Sequence, residues 1–161
     1  SWAYEWGVVG GGRWVTGPGQ VGSARDLAVL TQAVIRDFPQ YQRFFVVRTV
    51  TIEGQERRNH NGLLGRFAGA DGIKTGYVCE SGYNLIGTAT REGRRLGAVV
   101  LGAASEAERE AVGERLLAAG FAARDGSTMT LDTVPISTEP GPVNMRPYVC
   151  GKDKAPAALV S

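Results

Sequence analysis

From Ser23 onward, apolar residues recur at helical spacing: Leu27, Leu30, Val34, Ile35 and Phe38 fall on one face. Ser23, with Asp26 three residues on, is a start signal, and Pro39 is a stop, so the pattern predicts a helix between them. From Val46 to Ile52 the period shortens to two with β-branched residues. Glu53-Gly54-Gln55 then reads as a turn and Glu56 to Asn59 as a return strand, which together make a hairpin. A second strand-rich stretch runs from Asp71 to Gly102. Ile73 to Val78, Tyr83 to Thr90 and Arg95 to Leu101 predict a three-stranded antiparallel meander, the last two strands being joined at Arg91-Glu92-Gly93-Arg94. Ser105 with Glu108 is a second capping box, Ala111, Val112, Leu116 and Leu117 give an apolar face, and Gly120 reads as the helix end. Helix, sheet, helix is an α+β layering, an antiparallel sheet flanked by helices.

Both ends depart from this pattern. Residues 1 to 22 hold seven glycines and all three tryptophans, Trp2, Trp6 and Trp14, without a sustained period, and read as a loop with a short strand. After Gly126 the chain carries Pro135, Pro140, Pro142, Pro147 and Pro156 with few apolar anchors, and reads as an extended appendage with a frayed end. The expected division is therefore 1–125 as the folded body and 126–161 as a Pro-containing extension.

Composition narrows the class. With 43% apolar and 21% charged residues in a chain of 161, a soluble globular body with a real core is expected. No apolar run approaches the ~20 residues that span a bilayer, and the start lacks the basic-then-apolar layout of a signal peptide. A net charge of +2 with scattered arginines points to no nucleic-acid partner. The chain opens on Ser1 and its methionines are Met129 and Met145, so a processed or truncated piece of something longer is expected. Cys79 and Cys150 fit neither a CxxC motif nor a four-ligand zinc site; one disulfide or two free thiols both stay open.

Gly17-Pro18-Gly19-Gln20-Val21-Gly22 satisfies GxGxxG and leads into the Ser23 helix, the layout of a dinucleotide-binding turn. Against it, the next acidic residue closing a strand is Glu53, about thirty residues on where roughly twenty is expected, and the strands pair as antiparallel hairpins. A Gly/Pro turn is the better reading. Asp71-Gly72 is likewise read as a turn former with no chemical role. Lys74-Thr75-Gly76, in contrast, places a cation, a short hydroxyl and an unobstructed backbone together on a strand, which suits holding a carboxylate while an extended substrate lies along a sheet edge.

Asn59-His60-Asn61-Gly62-Leu63-Leu64, Asp71-Gly72-Ile73-Lys74-Thr75-Gly76, Ser81-Gly82-Tyr83-Asn84-Leu85 and Leu96 to Gly102, in this order and spacing, resemble the serine D-alanyl-D-alanine carboxypeptidases, the low-molecular-mass penicillin-binding proteins. The resemblance reaches back to Pro18-Gly19-Gln20 and Ser23 to Leu27, and forward to about Phe121, roughly two-thirds of the chain. It implies a partial penicillin-binding/β-lactamase-like serine hydrolase fold in a periplasmic or cell-envelope protein, with no cofactor and no metal. Its implied partners are peptidoglycan stem peptides and β-lactams. Family members use a nucleophile in Ser-x-x-Lys, a Ser-x-Asn and the Lys-Thr-Gly strand. None of the serines here opens Ser-x-x-Lys or Ser-x-Asn, so the chain resembles the C-terminal part of such an enzyme. On that reading it is inactive alone and partnered by a missing N-terminal half that would also cover the tryptophans.

By the same resemblance Lys74 and Thr75 hold the substrate's terminal carboxylate, Gly76 admits close approach, and the Tyr77 N–H is an oxyanion-hole donor. His60 stands where some relatives carry a carboxylate-binding Arg, and there it is a donor whose charge depends on pH. A Cys79–Cys150 disulfide, permitted by a periplasmic setting, would tie the tail to the edge of the site. Two rival readings are a non-catalytic cell-wall module of the same fold and a dinucleotide-binding domain.

Overall fold

The computed structural model describes residues 7–9, 13–15, 21–123, 130–134 and 143–151. Most of the Gly17–Gly22 turn, Trp2 and Trp6 lie outside them, as does most of the stretch after Gly126. Two short strands, β1 (Gly7–Val9) and β2 (Arg13–Val15), pair antiparallel. Helix α1 (Ala24–Asp37) starts where the sequence places it. The Ser23 hydroxyl accepts from the Asp26 N–H at 3.1 Å, and the Asp26 carboxylate accepts from the Ser23 N–H at 2.8 Å. Of its predicted apolar face Leu27 is buried, but Leu30 and Phe38 are 46% and 50% exposed.

A 3-10 turn (Pro39–Tyr41) and the single turn α2 (Gln42–Phe45) lead into the hairpin of β3 (Thr49–Ile52) and β4 (Gln55–Arg58). Its two-residue turn uses Glu53 and Gly54, both at positive φ, which matches the right-handed twist of the strands. The central sheet has the order β5 (Ala70–Val78), β6 (Gly82–Arg91), β7 (Arg94–Ala103), all antiparallel, as the hydrophobic pattern predicts. The Asp71-Gly72 turn does not form. Strand β5 begins at Ala70, and the register shift between Ala70 and Gly72 makes Asp71 a bulge residue inside the strand.

Helix α3 (Glu106–Ala122) covers one face of this sheet, where Leu63, Leu85, Ala89, Ala98, Val100 and Leu117 form the core. It does not stop at Gly120. A Cβ on Gly113 would lie 2.7 Å from Leu85 and one on Gly120 would lie 2.9 Å from Leu96, so both glycines serve close helix–sheet approach. The capping pattern is also shifted: the Ser105 hydroxyl accepts from the Glu108 N–H, but Glu108 reaches back to the Ala104 N–H. Of the expected apolar face, Leu117 is in the core and Val112 packs against it, but Ala111 and Leu116 are exposed, and Arg109 and Glu110 are buried beside Leu117. Arg91 is layered against the Phe67 and Phe121 rings at 4.2 and 4.7 Å and clasps the end of α3 to the loop before β5.

The opposite face of the sheet meets α1 across a groove of about 630 Å³, lined by Ala28, Thr31 and Ile35 from the helix and Ile86, Thr88 and Val99 from the strands. The tail is not merely extended. Residues 143–151 contain a short helical turn, α4 (Arg146–Val149), anchored by buried Met145 and Val149.

Candidate active site

Lys74, Thr75, Gly76 and Tyr77 lie consecutively on β5, which among the described residues pairs with β6 alone. An edge strand keeps the N–H and C=O groups of alternate residues free of its one neighbour, and Thr75 and Tyr77 belong to the same alternate set. Side chains alternate too. Lys74 is opposite Ile86, and Ile86 is opposite Val99, so Lys74 stands on the groove face, toward α1. Its ammonium donates to the Thr75 carbonyl at 2.5 Å. Partial burial lowers the Lys74 pKa from the usual lysine range.

Asp71 braces the start of this strand. Its carboxylate accepts from the Thr88 and Thr90 hydroxyls, each at 2.6 Å, and pairs with Arg95 at 3.2 Å. Arg95 also donates to Gln42 at 2.8 Å and so joins α2 to the sheet. These cross-strand partners hold Asp71 within the strand, as its bulge residue, where local Asp-Gly preference favours a turn.

His60 lies in the loop between β4 and β5, with its side chain exposed. The structure holds its backbone. Arg109 on α3 donates to the His60 carbonyl at 2.8 Å and to Glu106 and Glu110 at 2.9 and 3.2 Å, and Glu110 pairs in turn with Arg66 at 2.7 Å. Next to it, buried Asn61 donates from its amide to the Gly72 carbonyl at 3.0 Å and accepts from the Leu63 N–H at 3.1 Å. The loop is thereby fastened to the strand two residues before Lys74. Neither Asn61 nor Arg109 stands out as a site residue in the sequence, although Asn-x-Asn-Gly signals an Asx turn of this kind.

At the other end of β5, Cys79 and Cys150 form a disulfide with Cα atoms 5.7 Å apart. The Tyr77 hydroxyl lies 3.0 Å from the Cys150 Sγ, and its ring stands 4.3 Å from that of Tyr83.

The antiparallel sheet with helices on its two faces is the fold of penicillin-binding, β-lactamase-like proteins. Two solved structures are similar to it over about two-thirds of this chain. Penicillin-binding protein D2 from Listeria monocytogenes in its ampicillin-bound form is 35% identical with a TM-score of 0.62 over 66% of this chain and 45% of that one. Penicillin-binding protein 5 from Haemophilus influenzae is 36% identical with a TM-score of 0.64 over 67% of this chain and 32% of that one. The family model described as D-alanyl-D-alanine carboxypeptidase matches residues 14–105, more than half of the sequence, and the chain belongs to that family. D-alanyl-D-alanine carboxypeptidase DacA of Escherichia coli strain K12 is 41% identical over 104 residues, 64% of this chain and 26% of DacA. DacD of the same strain is 43% identical over 101 residues, 62% and 26% of the two chains. The chain thus spans about a quarter of the length of these curated relatives.

Proposed function

We propose that this chain supplies the carboxylate-binding half of a periplasmic serine D-alanyl-D-alanine carboxypeptidase that trims peptidoglycan stem peptides and is acylated by β-lactams. The observation that carries it is the Lys74-Thr75-Gly76 strand at a sheet edge, with the lysine turned to the groove face. In the reaction a serine attacks the carbonyl between the last two D-alanines, D-alanine leaves, and water hydrolyses the acyl-enzyme. Lys74 and Thr75 grip the terminal carboxylate, His60 adds a donor beside it, and Gly76 clears the approach. The Tyr77 N–H meets the oxyanion.

The nucleophile comes from outside these 161 residues, which contain no Ser-x-x-Lys. Support for a companion part is the apolar surface on α1, α2 and β3, where Leu30, Phe38, Phe44 and Ile52 are 46–55% exposed. No helix among the described residues is long and apolar enough to cross a membrane.

Intact-mass measurement after incubation with benzylpenicillin tests this reading. The chain alone is expected to keep its mass, and the full-length protein to gain one penicilloyl group. An adduct on the chain alone would overturn the placement of the nucleophile, and a full-length protein that stays unmodified would overturn the carboxypeptidase assignment. The lack of Ser-x-x-Lys and Ser-x-Asn also favours a second reading, a non-catalytic wall-binding module, which the latter result would support.

The Lys74 shift sets a pH dependence. Only the protonated amine attracts a carboxylate, and burial lowers its pKa from 10.5. Binding of an anionic acyl-D-alanyl-D-alanine peptide is therefore expected to be full near neutrality. It weakens as pH rises through a point below 10.5, which a titration of affinity against pH would locate.

A further inference from the structure

The tip of the β5–β6 hairpin, Cys79 to Ser81, follows directly on the Lys-Thr-Gly-Tyr run, and the segment Asn144–Gly151 is fastened to it in several independent ways. The Cys79–Cys150 disulfide is covalent. The Met145 N–H donates to the Glu80 carbonyl at 2.8 Å. The Arg146 guanidinium pairs with the Glu80 carboxylate, and this partner holds the Glu80 carboxyl below its usual range. Met145 and Val149, each 6% exposed, are buried beside these polar links. A stretch distant in sequence thus closes on one short turn.

Tyr77, 45% exposed, borders this arrangement. Its hydroxyl lies against the Cys150 sulfur and its ring against Tyr83. By strand alternation its side chain points away from the face that Lys74 occupies. The side chain is thus held at its hydroxyl by Cys150 and at its ring by Tyr83, on a backbone paired with β6 on one side.

We infer that the disulfide-fastened segment Asn144–Gly151 is a positioning element for the active site: by clamping the Tyr77 side chain on one face of β5, it aims the Tyr77 backbone N–H at the developing oxyanion on the edge. The inference rests on the carboxypeptidase reading above. It assigns the tail a part in the transition state rather than in substrate binding, since a misaimed oxyanion donor weakens only the charged state.

The test is acylation of the full-length protein by benzylpenicillin, with the binding constant and the acylation rate constant resolved by stopped-flow. In the Cys79→Ser/Cys150→Ser variant the rate constant is expected to fall about 10-fold with little change in the binding constant. Arg146→Ala, which keeps the disulfide, is expected to show the same split with a smaller loss. It also keeps the test open if the double variant fails to fold. Folded variants that melt earlier but acylate at the wild-type rate would overturn the positioning role and leave the segment as a structural tie. Wild-type protein that is not acylated would overturn the carboxypeptidase reading, and this role with it.

Discussion

Replacing Lys74 with alanine in the full-length protein is expected to reduce the second-order rate of acylation by benzylpenicillin about 10²- to 10³-fold, the usual cost of removing one preorganised electrostatic contact from such a site. The loss follows from position. Lys74 is a cation on the groove face of an edge strand, partly removed from water, so its attraction for a carboxylate is weakly screened there. Lys74→Arg keeps the charge but replaces a compact ammonium with a planar fork, and recovery is expected to be incomplete. Melting temperature separates the effect from unfolding, because Lys74 lies outside the apolar core. An acylation rate unchanged in Lys74→Ala would remove this residue from the site.

Arg109→Ala is expected to destabilise the chain by about 3–5 kcal/mol, the range for breaking a buried ion pair from one side. Only 3% of the Arg109 side chain is exposed, and its loss leaves the Glu110 carboxylate, 10% exposed, with Arg66 alone. It also releases the His60 carbonyl. For a domain of this size the change corresponds to a fall in melting temperature of roughly 10 °C. Glu106→Ala is the control: its side chain is 55% exposed, and at most about 1 kcal/mol is expected. Urea denaturation of both variants would decide, and a loss below that of Glu106→Ala would show that the cluster does not hold the loop.

The hairpins were legible because their determinants are local. Glu53-Gly54 and Glu92-Gly93 both adopt positive φ at the turns the sequence marks. The start of β5 was not legible, because Asp71 answers to Thr88, Thr90 and Arg95, partners 17 to 24 residues away, and these override the turn preference of Asp-Gly. The buried face of α3 is only half legible for a similar reason: Val112 and Leu117 pack on the core as the periodicity predicts, but Arg109 and Glu110 are buried beside Leu117. Hydrophobic periodicity favours Leu116, while the face that packs under the His60 loop is the one carrying Arg109 and Glu110. In the tail, Met145 and Val149 become anchors where the chain closes on the β5–β6 turn. The candidate site divides in the same way. Lys-Thr-Gly is contiguous and readable, but the Asn61 and Arg109 contacts that hold its surroundings are made by folding.

Helix α3 meets the sheet most closely at Gly113 and Gly120, seven residues apart on one side of the helix. With two such points of contact it behaves as a beam resting on two supports. A methyl group added at either one would press on a leucine end, Leu85 at Gly113 or Leu96 at Gly120, which must give way or lift the helix. Arg109 beneath the His60 loop lies toward one end of the beam and Phe121 under Arg91 at the other. The level of the helix, set by two absent side chains, is thus a mechanical reference for a loop that it holds through Arg109 and through the Glu110–Arg66 pair.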